Sequence, residues 1–176
     1  MIAPRIETPR LVLRAVQAED YDALVAIREK KEVGEFVGGV RDARDTWFMM
    51  MRTAGMWPLL GYGYWTVDLK ETGEVIGEVG FADFKRGIQP DISGIPEAGW
   101  VFDQPHWGKG FATEAVTAAL GWLDTQTDYV QSSCLVSPDH KPSIGVAKKC
   151  GYVPIVQSEF RGDAVLVFKR NKHRLA

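Results

Sequence analysis

Trp107-Gly108-Lys109-Gly110-Phe111-Ala112-Thr113-Glu114-Ala115 is the stretch on which the reading of this 176-residue chain turns. A strand-like run, residues 97–102, leads into it and is closed by Asp103-Gln104-Pro105. Beyond it Ala112, Ala115, Val116, Ala119, Leu120 and Leu123 recur at helical spacing, the apolar stripe of a helix over 112–123 packed on a sheet. The two glycines let the backbone turn tightly and let a ligand approach the amide N–H groups with no Cβ in the way. The helix then opens on unpaired N–H groups and a positive dipole end, which attract an anion such as a pyrophosphate. Lys109 adds a charge at the rim. A glycine turn that merely starts a helix has the same pattern, so the glycines alone leave both readings open. Two nucleotide-binding templates fail. There is no G-x-x-x-x-G-K-[ST] run, and in G-x-G-x-x-G the third glycine is replaced by Thr113, with no acidic residue ending a following strand.

Working outward, residues 10–16 read as a strand, with Leu11, Leu13 and Ala15 alternating against Val12, Arg14 and Val16. Residues 19–31 read as a helix, 33–40 as a loop, and 41–53 as a second helix carrying Trp47, Met50 and Met51. The aromatic and glycine-rich stretch 55–63 is expected to be irregular, because Pro58 breaks a helix there. Residues 64–69 and 74–82 flank the turn Lys70-Glu71-Thr72-Gly73 as an antiparallel hairpin, and 85–96 is a loop. Downstream, 128–136 is a strand, 142–149 a short helix, and 151–157 and 165–169 are closing strands. Hairpins followed by a β-turn-helix-β unit predict a single mixed α/β domain with helices on the faces of its sheet.

Composition agrees. Lys+Arg 21 against Asp+Glu 23 leaves a net charge of −2, with 45% hydrophobic and 25% charged residues. These are values of an ordinary globular protein, which excludes wholesale disorder, collagen and coiled coil. A nucleic-acid partner is not expected, since no basic stripe stands out. Cys134 and Cys150 lie in neither a CxxC pair nor metal-ligand spacing, so they are expected to be buried thiols in a reducing compartment, with no metal. The first residues lack an apolar signal core, and no run approaches the roughly 20 apolar residues of a membrane span. The expected location is cytoplasmic, with no membrane partner.

The spacing resembles that of a known family. Gly108-x-Gly110-x-Ala112 after a strand, the following Glu114, and Ser143-x-x-Val146-x-x-Lys149-x-Gly151-Tyr152 resemble the GNAT N-acetyltransferases. Thr8-Pro9-Arg10-Leu11-x-Leu13-Arg14 and Gly73-Glu74-x-Ile76-Gly77-x-x-Gly80 are similar to the branch that includes the ribosomal-protein N-terminal acetyltransferases. The resemblance covers residues 8–170 of a domain taken as 1–176. It implies a mostly antiparallel sheet that splays into a V between strands 97–102 and 128–136. Acetyl-CoA would lie in the V, its pantetheine arm pairing with the first strand at Val101 and Phe102. Its pyrophosphate would sit on the turn formed by Trp107, Gly108, Lys109, Gly110, Phe111, Ala112 and Thr113. One position departs from the family: members commonly carry Asn three residues before the serine, where this chain has His140. A neutral imidazole both donates and accepts, as an amide does, so His140 is read as a pantetheine contact.

Acetyl transfer needs a neutral amine, a hole for the oxyanion and a proton for the departing thiolate. Glu97, in Glu97-x-Gly99-Trp100, matches the acidic position of the branch. It is either a general base, direct or through water with its pKa raised by burial, or a surface carboxylate ending a loop. Asp83 is the next candidate. Ser143 either protonates the thiolate or caps a helix. The Val101 N–H is expected to polarise the thioester carbonyl. Glu114 is read as structural, His106 as an exposed loop residue, and His173 as part of a solvated basic tail. Phe36, Trp47, Trp57, Tyr62, Tyr64 and Trp65 fall in the segment that forms the acceptor side in the family, mostly as core, with the 57–64 cluster aromatic enough to line a pocket. The expected activity is acetyl transfer to a primary amine of a protein N-terminus, a side chain or a small molecule, by a monomer or homodimer. The alternatives are a non-catalytic acyl-CoA-binding module and a phosphate-binding scaffold unrelated to CoA.

Overall fold

Alternation in the first half of the chain and the helical stripe in the second resolve into one eight-stranded open sheet with helices on its faces. The computed structural model describes residues 2–172. In chain order the strands are β1 (Ile6–Glu7), β2 (Leu11–Arg14), β3 (Tyr64–Leu69), β4 (Val75–Ala82), β5 (Glu97–Phe102), β6 (Gln131–Val136), β7 (Val153–Phe160) and β8 (Asp163–Asn171). They lie side by side as β1-β2-β3-β4-β5-β6-β8-β7. Every neighbouring pair is antiparallel except β5 and β6, which run parallel. That pair meets only at Glu97↔Ser133 and Ala98↔Cys134, supported by the Ser133 N–H donating to the Pro96 carbonyl at 3.0 Å. Past Ala98 the two strands part, giving the V that the family resemblance implies.

The helices are α1 (Tyr21–Arg28), α2 (Lys31–Gly34), α3 (Ala43–Leu60), α4 (Phe111–Gln126) and α5 (Lys141–Lys149). The single helix expected over 19–31 is instead a 3-10 turn at Ala18–Asp20 followed by α1, and α2 takes the start of the expected loop. The larger correction concerns Pro58, which does not end a helix: α3 runs through it to Leu60. Thr46, Met50, Thr53, Met56 and Trp57 form a continuous buried stripe, while Pro58 lies on the exposed side, where its ring meets solvent. Packing along the stripe outweighs one missing N–H. Asp42 starts the helix by accepting from the Asp45 N–H at 2.7 Å, and Gly61, left-handed at φ 76°, ends it.

One face of the sheet presents Trp65, Val67, Val79, Phe81, Ala98 and Phe102 to the stripe of α4, where Ala115, Val116, Ala119, Leu120 and Leu123 are all buried. Each large aliphatic side chain so buried stabilises by about 1.5–3 kcal/mol. Trp57, Trp65 and Trp122 close this core edge to face at 4.7–5.3 Å. The other face carries α1, fixed by the buried Arg28–Glu78 ion pair, and the 85–96 loop, pinned by Ile88 and Ile92. Both cysteines are buried free thiols.

Candidate active site

The Gly108–Gly110 turn joins β5 to α4. Gly108 and Gly110 are left-handed, at φ 73° and 82°, a conformation that costs a residue with a Cβ. The first bond of α4 is Glu114 N–H to the Gly110 carbonyl at 3.1 Å. The amides of Phe111, Ala112 and Thr113 therefore have no partner within the helix and point out of its positive end. Trp107 and Lys109 are exposed; the Trp107 indole N–H donates to the Phe102 carbonyl at 2.7 Å, tying the turn to the end of β5.

A residue outside the expected set braces this cradle. The Arg10 guanidinium donates to the Lys109 carbonyl at 2.9 Å and to Glu114 at 2.7 Å, and lies 4.5 Å over the Phe111 ring. Glu114 also accepts from the Thr8 hydroxyl at 2.6 Å and the Arg10 N–H at 2.9 Å, so it is structural, as expected. Burial pushes the Glu114 carboxyl up, but its hydrogen bonds to Thr8 and Arg10 prevail and hold it below its usual range. Thr8-Pro9-Arg10 was visible as a motif, but its docking on α4 was not. A groove of about 620 Å³ runs beside the cradle between Thr8, Pro9, Thr113, Thr117 and Lys149.

Hydrogen-bond alternation decides which groups of β5 face the V. Asp103 N–H bonds the Ile76 carbonyl of the β4 ladder at 2.9 Å, and the β4–β5 register is regular. Hydrogen-bonded pairs alternate along an antiparallel ladder, so Val101 bonds toward Glu78, while the N–H groups of Trp100 and Phe102 point to the open edge. The Val101 N–H is thus turned away from the V, contrary to its expected role. A one-residue change of phase accounts for the difference.

Glu97 is 4% exposed, at the residue where β5 still pairs with β6. It is not a surface carboxylate. Arg86 donates to it three times, at 2.6, 2.8 and 3.1 Å, and is itself stacked between the Phe84 and Phe160 rings at 4.6 and 4.7 Å. Burial pushes the Glu97 carboxyl up and outweighs Arg86, with Asp83 adding to the rise. Arg86 is a loop cation that no sequence pattern singled out. Asp83 pairs with Lys85 and accepts the Gly94 N–H at 3.0 Å. A recess of about 340 Å³ between residues 84–88 and 159–161 borders Arg86.

Ser143, in the first turn of α5, accepts from the Trp100 indole N–H at 3.2 Å across the V. His140 precedes α5 and stacks on Phe36, rings 4.2 Å apart and 8° from parallel. Burial pushes the His140 pKa down, with Glu35 opposing. His106 differs from expectation: its ring is only 10% exposed, sits 3.4 Å from Glu74, and leaves Nδ1 buried without a partner. His173 lies outside the described residues. Of the aromatic segment, Trp57, Tyr62 and Trp65 are core, Trp47 is exposed at 39%, and Tyr64 is half-buried. Among the described residues no His, Cys, Asp and Glu group is arranged to hold a metal, and no helix is long and apolar enough to cross a membrane.

An anion cradle at the mouth of a slit in an open sheet is the arrangement of a coenzyme-A-dependent acyltransferase. The family model described as an acetyltransferase (GNAT) domain matches residues 10–153, and the chain belongs to that family. It is 32% identical over 143 residues to the uncharacterized N-acetyltransferase p20 of Bacillus licheniformis, covering 78% of this chain and 75% of that protein. A GNAT-family acetyltransferase structure from Bordetella pertussis shares 28% identity at a TM-score of 0.85, covering 96% of this chain and 99% of the other. The ribosomal-protein-S5-alanine acetyltransferase of Vibrio fischeri, at 14% identity, a TM-score of 0.79 and 97% coverage of each chain, shares the fold. The chain is an acyltransferase that transfers acetyl groups, and its family uses acetyl-CoA. The unpaired amides and left-handed glycines of the turn fit the pyrophosphate of that co-substrate.

Proposed function

We propose that the acceptor is a primary amine, of a protein N-terminus or a small molecule, and that it attacks the bound thioester directly. The observation that carries this reading is the buried Glu97 at the fork of β5 and β6, where the sheet opens. Acetyl-CoA supplies an acetyl group already activated as a thioester. The amides of Phe111, Ala112 and Thr113 hold its pyrophosphate, with Lys109 at the rim, and the open edge of β5 at Trp100 and Phe102 holds its pantetheine arm. His140, held neutral by burial, offers one donor and one acceptor to that arm.

Glu97 takes the proton of the amine, directly or through one water. Arg86 leaves part of the carboxylate's acceptor capacity free, and burial keeps the carboxylate basic. The Trp100 N–H, on the open edge, serves the oxyanion. Because the Trp100 indole donates to Ser143, the Ser143 hydroxyl proton remains free to go to the departing thiolate. Positioning of amine against thioester supplies much of the rate.

The test is CoA release by the full chain with N-terminal peptides, polyamines and aminoglycosides, repeated with Glu97→Gln. Release with at least one amine is expected. Glu97→Gln is expected to lower kcat by about 10²- to 10⁴-fold with little change in acetyl-CoA affinity. Unchanged turnover in Glu97→Gln moves the base elsewhere, and no release with any amine refutes the acceptor class.

A further inference from the structure

Tyr64 on β3 faces Gly80 on β4, and Gly80 in turn faces Gly99 on β5. The tyrosine ring lies across both glycines. A Cβ at Gly80 would overlap the Tyr64 backbone and come within 2.8 Å of the ring, and a Cβ at Gly99 would overlap the hydroxyl oxygen itself. Glycine inside a strand weakens a sheet, yet here two adjacent strands carry one at matched positions. Together they form a trough that leads the Tyr64 hydroxyl to Gly99.

Gly99 is the first residue of β5 beyond Ala98, the last that pairs with β6. The hydroxyl therefore stands at the point where the sheet opens, on the same face as Glu97 and opposite the face that α4 covers. Among the described residues it has no hydrogen-bond partner, although a phenol that is half-buried usually finds one. The two flanking carboxylates, Glu78 and Glu97, are each engaged by an arginine. The phenol stays protonated: burial, then Glu97 and Glu78, push its pKa up against Arg86 and Arg28.

Building on the proposed function, we propose that the Tyr64 hydroxyl binds the incoming acceptor amine. It accepts a hydrogen bond from the amine N–H and so sets the nitrogen beside Glu97 at the fork of the sheet. The trough at Gly80 and Gly99 is what brings the hydroxyl there. Among the described residues nothing else uses that hydroxyl, so Tyr64→Phe removes one oxygen without breaking a bond to any of them.

The experiment is steady-state CoA release by the full chain, with acetyl-CoA affinity measured separately by thermal shift. Tyr64→Phe is expected to keep acetyl-CoA affinity and the melting temperature. It is expected to lower kcat/KM for the acceptor by about tenfold, chiefly through KM, the size of one lost hydrogen bond. Gly99→Ala, which displaces the hydroxyl, is expected to lower kcat/KM similarly in the parent and much less in Tyr64→Phe. Release by the parent with kcat/KM unchanged in Tyr64→Phe overturns this inference alone. A fall in acetyl-CoA affinity in Tyr64→Phe also overturns it, since the hydroxyl then serves the co-substrate. Absence of release by the parent overturns the proposed function and this inference with it.

Discussion

Replacing Arg86 by Met isolates Glu97 while keeping an unbranched side chain between the Phe84 and Phe160 rings. Glu97 would lose the guanidinium that donates to both its oxygens, in a place where its side chain is 5% exposed. Removing one partner of a buried ion pair costs about 3–5 kcal/mol. In a chain of this length each kcal/mol moves the melting temperature by about 2–4 °C, so the fall is roughly 6–20 °C at neutral pH. The sign of the pH dependence follows from burial. The Glu97 carboxyl is already raised, and with Arg86 gone only burial and Asp83 remain, both of which raise it further. A fold that prefers the neutral acid is least penalised below the unfolded glutamic-acid value, and loses stability as pH rises through the native value. The loss in Arg86→Met is therefore expected to be larger at pH 8 than at pH 5, by thermal melting in matched ionic strength. The acid limb of kcat should move to higher pH in the same variant. Equal losses at the two pH values together with an unmoved acid limb would refute the reasoning, for the stability and for Glu97 as base alike.

Two further outcomes are expected. Gly110→Asp puts a side chain and a negative charge beside the cradle amides; acetyl-CoA at 100 times its dissociation constant should stabilise the parent by about 2.7 kcal/mol and leave this variant unmoved, as read by thermal shift. His140 has a native pKa below the usual 6.5, so its contribution to stability is full above that value and lost as pH falls through the native one; His140→Asn should flatten that decline in urea melts and keep acetyl-CoA affinity, whereas His140→Ala should weaken binding by about 0.5–1.5 kcal/mol.

What the sequence revealed divides along a physical line. The α4 stripe, the hairpin of β3 and β4, and the glycine turn were legible because each is a local pattern: a period or a short spacing. The passage of α3 through Pro58 was not, because it depends on a buried stripe, Thr46 to Trp57, whose packing overrides the local bias of the next residue against helix. Glu97 stood out in its motif, but Arg86 did not, since an ion pair across a loop has no spacing. The Val101 role failed by one residue because sequence does not fix the phase of a ladder. Gly80 and Gly99 belonged to motifs, yet the ring they accommodate becomes visible only when three strands are laid side by side. The burial of His106 has no local signal for the same reason: Glu74, its neighbour in space, comes from the turn of the β3–β4 hairpin.

The strand order has a consequence for how the chain is made. β8, the last strand in sequence, lies between β6 and β7, and β6 shares only two residue pairs with β5. While synthesis runs from one end to the other, the wall of the slit formed by β5 can assemble with β4 early. The opposite wall has no full ladder until residues 163–171 emerge and pair with β6. A nascent chain halted short of β8 would thus carry the glycine turn and α4 without the second wall, so the slit is completed only with the final strand.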